Sequence, residues 1–349
     1  MGFHETLFQP YRIAETPSMT PTPPQKPKKR RLLWLAVFLL VVFAAYSAGW
    51  FYLAERVRTE AANTIAALEA KGVNADCANL SVSGYPVHFA ISCDNTAYED
   101  DAGDIAVSTG AITAVAPLYR PFSPDADVTG PLRTSIPGTA PLWLDWDSMH
   151  IATGLLWPAT QRISLQAEGF SGQTDPQDET DPLQLFSADK ATAEMRPEGQ
   201  DVAAGISFSA LQIDAEALGG RTLPPLDGVL EATLRNGVAL LASQTESLRG
   251  QSLDLKQAAL SSGTAGIEIS GPLSVDAEGL VDADLTIRIR DPQALATILA
   301  TAVPEQRRQI QQGFAGLALM GKEPTLPLRI VKGKAALGFI PLGQIGPLE

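Results

Sequence analysis

The stretch Val281-Asp282-Ala283-Asp284-Leu285-Thr286-Ile287-Arg288-Ile289-Arg290 alternates apolar with polar side chains over ten residues. Successive side chains of a strand point to opposite faces, so this rhythm puts Ala283, Leu285, Ile287 and Ile289 on one face and Asp282, Asp284, Thr286, Arg288 and Arg290 on the other. A strand buried on both faces would be apolar throughout. One-sided alternation belongs to antiparallel sheets with one covered and one wet face.

The same period recurs on both sides of this segment. Upstream it marks Leu80 and Val82, then Val87, Phe89 and Ile91, with Ser83-Gly84-Tyr85-Pro86 as a tight turn between them. It continues at Ile105 and Val107; Leu142, Leu144 and Trp146; Ile163, Leu165 and Ala167; Ile206, Phe208 and Ala210; and Leu230, Ala232 and Leu234. Ile267 and Ile269, Leu273 and Val275, and finally Leu326, Leu328 and Ile330 complete the series. The fold class is therefore mainly β, with antiparallel sheets arranged as a sandwich or as a curved, groove-like sheet. Asp291-Pro292 caps one helix carrying Leu295, Ile298, Leu299 and Ala302. Pro304 interrupts it, and a second helical piece covers Glu305 to Met320, giving a short helical segment near 291–320. The segments Gly172 to Asp181 and Arg196 to Asp201 read as loops.

Ahead of the β region, Leu32 to Leu53 form 22 uncharged residues behind Lys26, Lys28, Lys29, Arg30 and Arg31. A helix of that length spans roughly 33 Å, enough for the hydrocarbon core of a bilayer at about 30 Å. Trp34 at one end and Trp50 and Tyr52 at the other suit the two interfaces, and the basic flank places the N-terminus in the cytoplasm. A cleaved signal peptide is the rival reading, but its apolar region is shorter, about 7 to 15 residues. Val57, Ala61, Ile65 and Leu68 then continue as one stripe of an amphipathic helix. The expected organisation is a disordered, proline-rich cytoplasmic tail over 1–31, an anchor over 32–53, a juxtamembrane helix over 54–72 and a periplasmic β-rich domain over 73–349. Two similar halves of that domain would divide near 215–226. The chain would then cross its membrane once, with the β-rich part exported.

Charge and cysteine usage narrow the function. Residues 1–31 hold six basic and two acidic side chains, leaving 20 basic against 37 acidic beyond them, a net of −17. Such a surface repels nucleic acid. Cys77 and Cys93 are the two cysteines, and an oxidising compartment favours their pairing as a disulfide. One histidine between them, His88, does not complete a zinc pattern. Asp175, Asp178, Glu179 and Asp181 lack the glycine and terminal glutamate of a calcium loop. Gly316 to Lys322 resembles a phosphate loop until Glu323, whose charge repels phosphate. His150 with Asp145, Asp147 and Ser148 can be drawn as a triad, but neighbours on one strand and its turn point different ways. No catalytic residue, cofactor or metal is expected. The opening Met1-Gly2 matches a myristoylation pattern formally.

Several stretches together carry a family resemblance: Ser83-Gly84-Tyr85-Pro86 followed by Phe89 and Cys93, Ala116-Pro117-Leu118-Tyr119 with Gly130-Pro131-Leu132, Leu144-Asp145-Trp146, and Leu326-Pro327-Leu328 through Gly338 to Pro341-Leu342-Gly343. In this order they resemble the alphaproteobacterial family catalogued as domain of unknown function 2125. That family implies an envelope protein, which with the anchor gives the bacterial inner membrane as the location, and supplies no catalytic residue. More distantly, the amphipathic strands are similar to those of AsmA-like envelope proteins, which implies lipid handling along a β-sheet groove. The expected function is binding of lipid or another hydrophobic envelope component, with Leu285, Ile287, Ile289, Leu328 and Ile330 as candidate groove residues. Membrane lipid is the expected partner of the anchor. A scaffold that recruits envelope proteins is the alternative.

Overall fold

The structure, a computed structural model, describes residues 28–70, 72–100, 105–156, 160–175, 182–243 and 247–348. The tail over residues 1–27 with its myristoylation pattern, and the acidic residues 178–181, lie outside the described residues. The chain divides into two units, residues 1–49 and residues 50–349.

One helix, α1 (Lys28–Glu69), runs without a break through the apolar segment and the amphipathic one. Within the second unit, its residues Trp50 and Ala54 are buried and Val57, Ala61, Ile65 and Leu68 half-buried, while their neighbours are exposed. Spacings of three and four along this stripe are those of a single packed helix face.

Among the described residues twenty strands follow, all in one antiparallel sheet. They are β1 (Val73–Cys77), β2 (Ser81–Ser83), β3 (His88–Cys93), β4 (Thr96–Asp100), β5 (Ile105–Thr109), β6 (Ile112–Pro117), β7 (Asp125–Val128), β8 (Leu132–Ser135), β9 (Leu142–Asp145) and β10 (Ser148–Leu156). The longer strands come next: β11 (Thr160–Thr174), β12 (Gln184–Glu198), β13 (Asp201–Ile213), β14 (Leu226–Leu234), β15 (Ser252–Ser262), β16 (Ala265–Val275) and β17 (Val281–Arg290). β18 (Thr325–Val331), β19 (Lys334–Leu337) and β20 (Ile340–Gln344) end the series. Three helices interrupt it: α2 (Gly237–Ser243), α3 (Pro292–Ala302) and α4 (Arg307–Leu319).

From β11 to β20 the sheet is a simple meander, each strand pairing with the next. The other edge of β11 is shared. Residues Thr160–Glu168 pair with β10, and Ser171–Thr174 pair with β9. The sheet therefore forks at β11. One arm continues β10, β7, β6, β3, β2, and the other β9, β8, β5, β4, β1. The disulfide Cys77–Cys93 joins β1 on one arm to β3 on the other.

Residues 214–225 connect β13 to β14, and those two strands pair directly from Val202 to Leu211. Of the two segments read as loops, Arg196 to Asp201 is mostly strand, while in Gly172 to Asp181 only the first three residues are, and 176–181 lie outside the described residues. Gly172 to Thr174 finish β11 and Arg196 to Glu198 finish β12, leaving Gly199 and Gln200 as the turn between β12 and β13. Arg196 and Glu198 alternate onto the wet face of β12 and so carry no loop signal. The helical expectation near 291–320 matches the structure. The Asp291 carboxylate accepts a hydrogen bond from the Ala294 amide at 3.1 Å, Pro292 opens α3, and Pro304 separates it from α4.

Candidate functional site

Register turns the alternation of single strands into a surface. Val82, Ile91, Ala114, Ala126, Ile151, Leu165, Ala193, Ile206, Leu230, Ala258, Ile269, Ile287 and Leu326 are, in succession, direct cross-strand partners. Directly paired residues share a face. One apolar row thus crosses thirteen strands without a polar side chain. At about 4.8 Å between strands it runs on the order of 58 Å.

Parallel rows flank it. Two residues away lie Met149, Ala167, Ala191, Phe208, Gly228, Leu260, Ile267 and Ile289. Further along the strands lie Pro197, Val202, Leu234, Leu253, Leu273, Ala283, Ile330 and Ala335. The apolar face survives a phase slip in β15, where Leu253 and Leu255 are odd-numbered but Ala258 and Leu260 even. An irregularity between Leu255 and Ala258 inserts one extra residue and returns both pairs to one face.

The opposite face is polar. Its matching row reads Asp127, His150, Gln166, Thr192, Ser207, Val229, Ala259, Glu268, Arg288 and Thr325. The Thr192 and Ser207 hydroxyls bond at 2.7 Å, and Arg288 lies 3.7 Å from Glu268. On the same side, a hydrogen bond from the Lys256 ammonium holds the Asp254 carboxyl below the usual carboxylate range, helped by the charges of Lys256 and Arg235.

All five candidate groove residues lie on the apolar face, but they occupy its covered end. Leu285, Ile289 and Ile330 retain 8, 5 and 8 % of their surface. Leu285 and Ile330 pack in one cluster with Val275, Val281 and Ala283, against which Leu328 and Leu348 also rest. Ile287 is half-buried. The open part of the face lies two to five strands away. There Ile206, Leu230 and Leu260 keep 53, 42 and 40 % of their surface. Sequence reading placed all three on strands or left them unmarked, because openness depends on what covers a strand and alternation does not report it. Among the described residues the largest fully buried side chain is Asp175, which pairs with Arg133. No large apolar side chain reaches that depth, as would be usual in a domain of this size closed around one core.

The remaining motifs resolve into structural roles. His150 pairs through Nδ1 with Asp127, its direct partner on β7, and both are about two-thirds exposed. Asp145 accepts instead from the Trp146 amide at 2.9 Å. Gly316 lies inside α4. Among the described residues no three His, Cys, Asp or Glu side chains gather as a metal site would require.

A family model described as "Uncharacterized protein conserved in bacteria (DUF2125)" matches residues 50–346. No curated protein and no solved structure matches the chain.

Proposed function

The chain belongs to the DUF2125 family of bacterial proteins, and on that premise we propose that it binds the acyl part of a lipid, or another hydrophobic envelope component, along the apolar face of its sheet. In this reading α1 anchors the protein in the inner membrane and the sheet stands in the periplasm, where the Cys77–Cys93 pair is oxidised. The uninterrupted thirteen-strand row, open at Ile206 and Leu230 and bordered by the open Leu260 of the next row, is the observation that supports it. Burying apolar surface contributes about 25 cal/mol per Å², so a chain laid across these residues gains affinity without a polar pocket. The row also exceeds the roughly 15 Å depth of one leaflet, half of the hydrocarbon core, by several-fold.

A photo-reactive amino acid at Leu230, introduced into the full chain in living cells, tests this reading against its neighbour Glu231, whose side chain faces the other way. Lipid adducts are expected at Leu230 and at Ile206 and not at Glu231. Protein adducts at Leu230 without lipid would instead support a scaffold.

A further inference from the structure

One short loop meets α1 where its apolar run ends, and a second lies beside the first. The β2–β3 turn, residues 84–87, and the β6–β7 connection, residues 118–124, lie at the same end of their ribbon, because His88 pairs with Pro117. The Leu118 amide donates to the Val87 carbonyl at 3.1 Å, joining the two loops. Trp50 stacks on Phe89 with centroids 5.3 Å apart, and its indole N–H donates to the His88 carbonyl at 3.3 Å. Phe51 stacks on Tyr85 at 5.4 Å. The last turn of the apolar run is thereby fixed against the first loop, to which the second is bonded.

What the loops show to solvent is unusual for this chain. Val87, Tyr119 and Phe122 are 62, 80 and 67 % exposed. Neither loop contains an acidic residue, although the chain after residue 31 carries a net of −17, and Arg120 is their one charged side chain. Exposed aromatics with an isolated arginine, next to residues that close a membrane-spanning run, have the chemistry of the lipid–water interface. There amphipathic rings sit at headgroup level and a guanidinium reaches phosphate.

We propose that residues 84–87 and 118–124 form a second membrane contact, with Val87, Tyr119 and Phe122 seated in the headgroup region of the bilayer that α1 crosses. The proposal rests on the anchor reading above and is separable from the binding of lipid along the sheet. Continuity with the anchor selects the occupant. Trp50 to Leu53 bring the bilayer surface to these loops whatever else the protein binds.

The test uses the full chain in vesicles of phosphatidylethanolamine and phosphatidylglycerol, with a nitroxide attached at Phe122→Cys or Tyr119→Cys. Phe43→Cys serves as the control for the anchor and Glu198→Cys as the control for solvent. Accessibility to oxygen, relative to a water-soluble nickel chelate, is expected to be several-fold higher at 119 and 122 than at 198, and highest at 43. A label at 122 that matches 198 while 43 reads hydrocarbon overturns the second contact and leaves the anchor standing. Shielding of 122 from both reagents also overturns it, in favour of a protein occupant. A nickel-accessible label at 43 removes the anchor and this proposal together.

Discussion

At one glycine two neighbouring strands of the sheet approach too closely for a side chain. Gly271 has φ +137°, and a Cβ there would lie 2.3 Å from the Asp284 carbonyl oxygen and 3.0 Å from the Leu285 Cα on the neighbouring strand. Both obstacles are backbone, so neither can rotate away. Gly271→Ala is therefore expected to cost roughly 2–3 kcal/mol, combining a disfavoured dihedral with a steric clash. Gly205 provides the contrast, since its φ is not positive and its nearest neighbour would be the Leu230 carbonyl at 3.6 Å, an ordinary contact. Gly205→Ala should change stability by less than about 0.5 kcal/mol. Urea unfolding of the detergent-solubilised full chain, followed by circular dichroism, measures both. Equal losses at the two positions would show that the close approach at Gly271 relaxes.

At the level of elements, the fork at β11 divides the N-terminal strands into two arms whose outer ends lack sheet partners beyond β1 and β2 among the described residues. The disulfide ties those ends together. Closing a loop of about 15 residues contributes on the order of 3 kcal/mol in the chain-entropy model. Each strand of the sheet touches its neighbours and little else, so the loss of that constraint should stay local, as in other one-dimensional arrays. Reduction of Cys77–Cys93 is expected to speed amide exchange in β1, β2 and β4 while β12 to β17 keep their protection. Uniform acceleration across the sheet would show that the arms and the meander unfold as one unit. The strands of this array were legible to different degrees. β17 is evident from its ten-residue alternation. β12 is hidden because its apolar positions are mostly alanines, Ala188, Ala191 and Ala193, set among Asp189, Lys190 and Glu194. In β15 the phase slip at Lys256 and Gln257 breaks the period, and only pairing to β16 shows that a bulge repairs it.

For the whole molecule, the sequence carried the fold class, the long apolar helix, the cysteine pair and the helices after Asp291. The apolar face was legible only in fragments. Its residues were visible strand by strand, but the row from Val82 to Leu326 exists only through register, and register is set by pairing between segments far apart in the chain. Of the groove candidates, Leu285 and Ile330 fell in the covered cluster, because the strong alternation that singled them out marks a strand whose inner face is well buried. The membrane reading can be decided for the full chain at once. The Cys77–Cys93 disulfide leaves no free thiol, so a single introduced cysteine is the sole target of a maleimide. Glu198 is exposed at the β12–β13 turn, and Glu198→Cys is expected to react with a membrane-impermeant maleimide in cells whose outer membrane is permeabilised and inner membrane intact. Ser18→Cys, on the basic side of the apolar run, should react only after the inner membrane is opened. The positive-inside asymmetry, Lys26 to Arg31 before Leu32 against an acidic chain after Leu53, is the ground for expecting this orientation. The reverse pattern would put the sheet in a reducing compartment and remove the premise of an oxidised cysteine pair. Labelling of both positions in intact cells would mean that the helix does not cross at all.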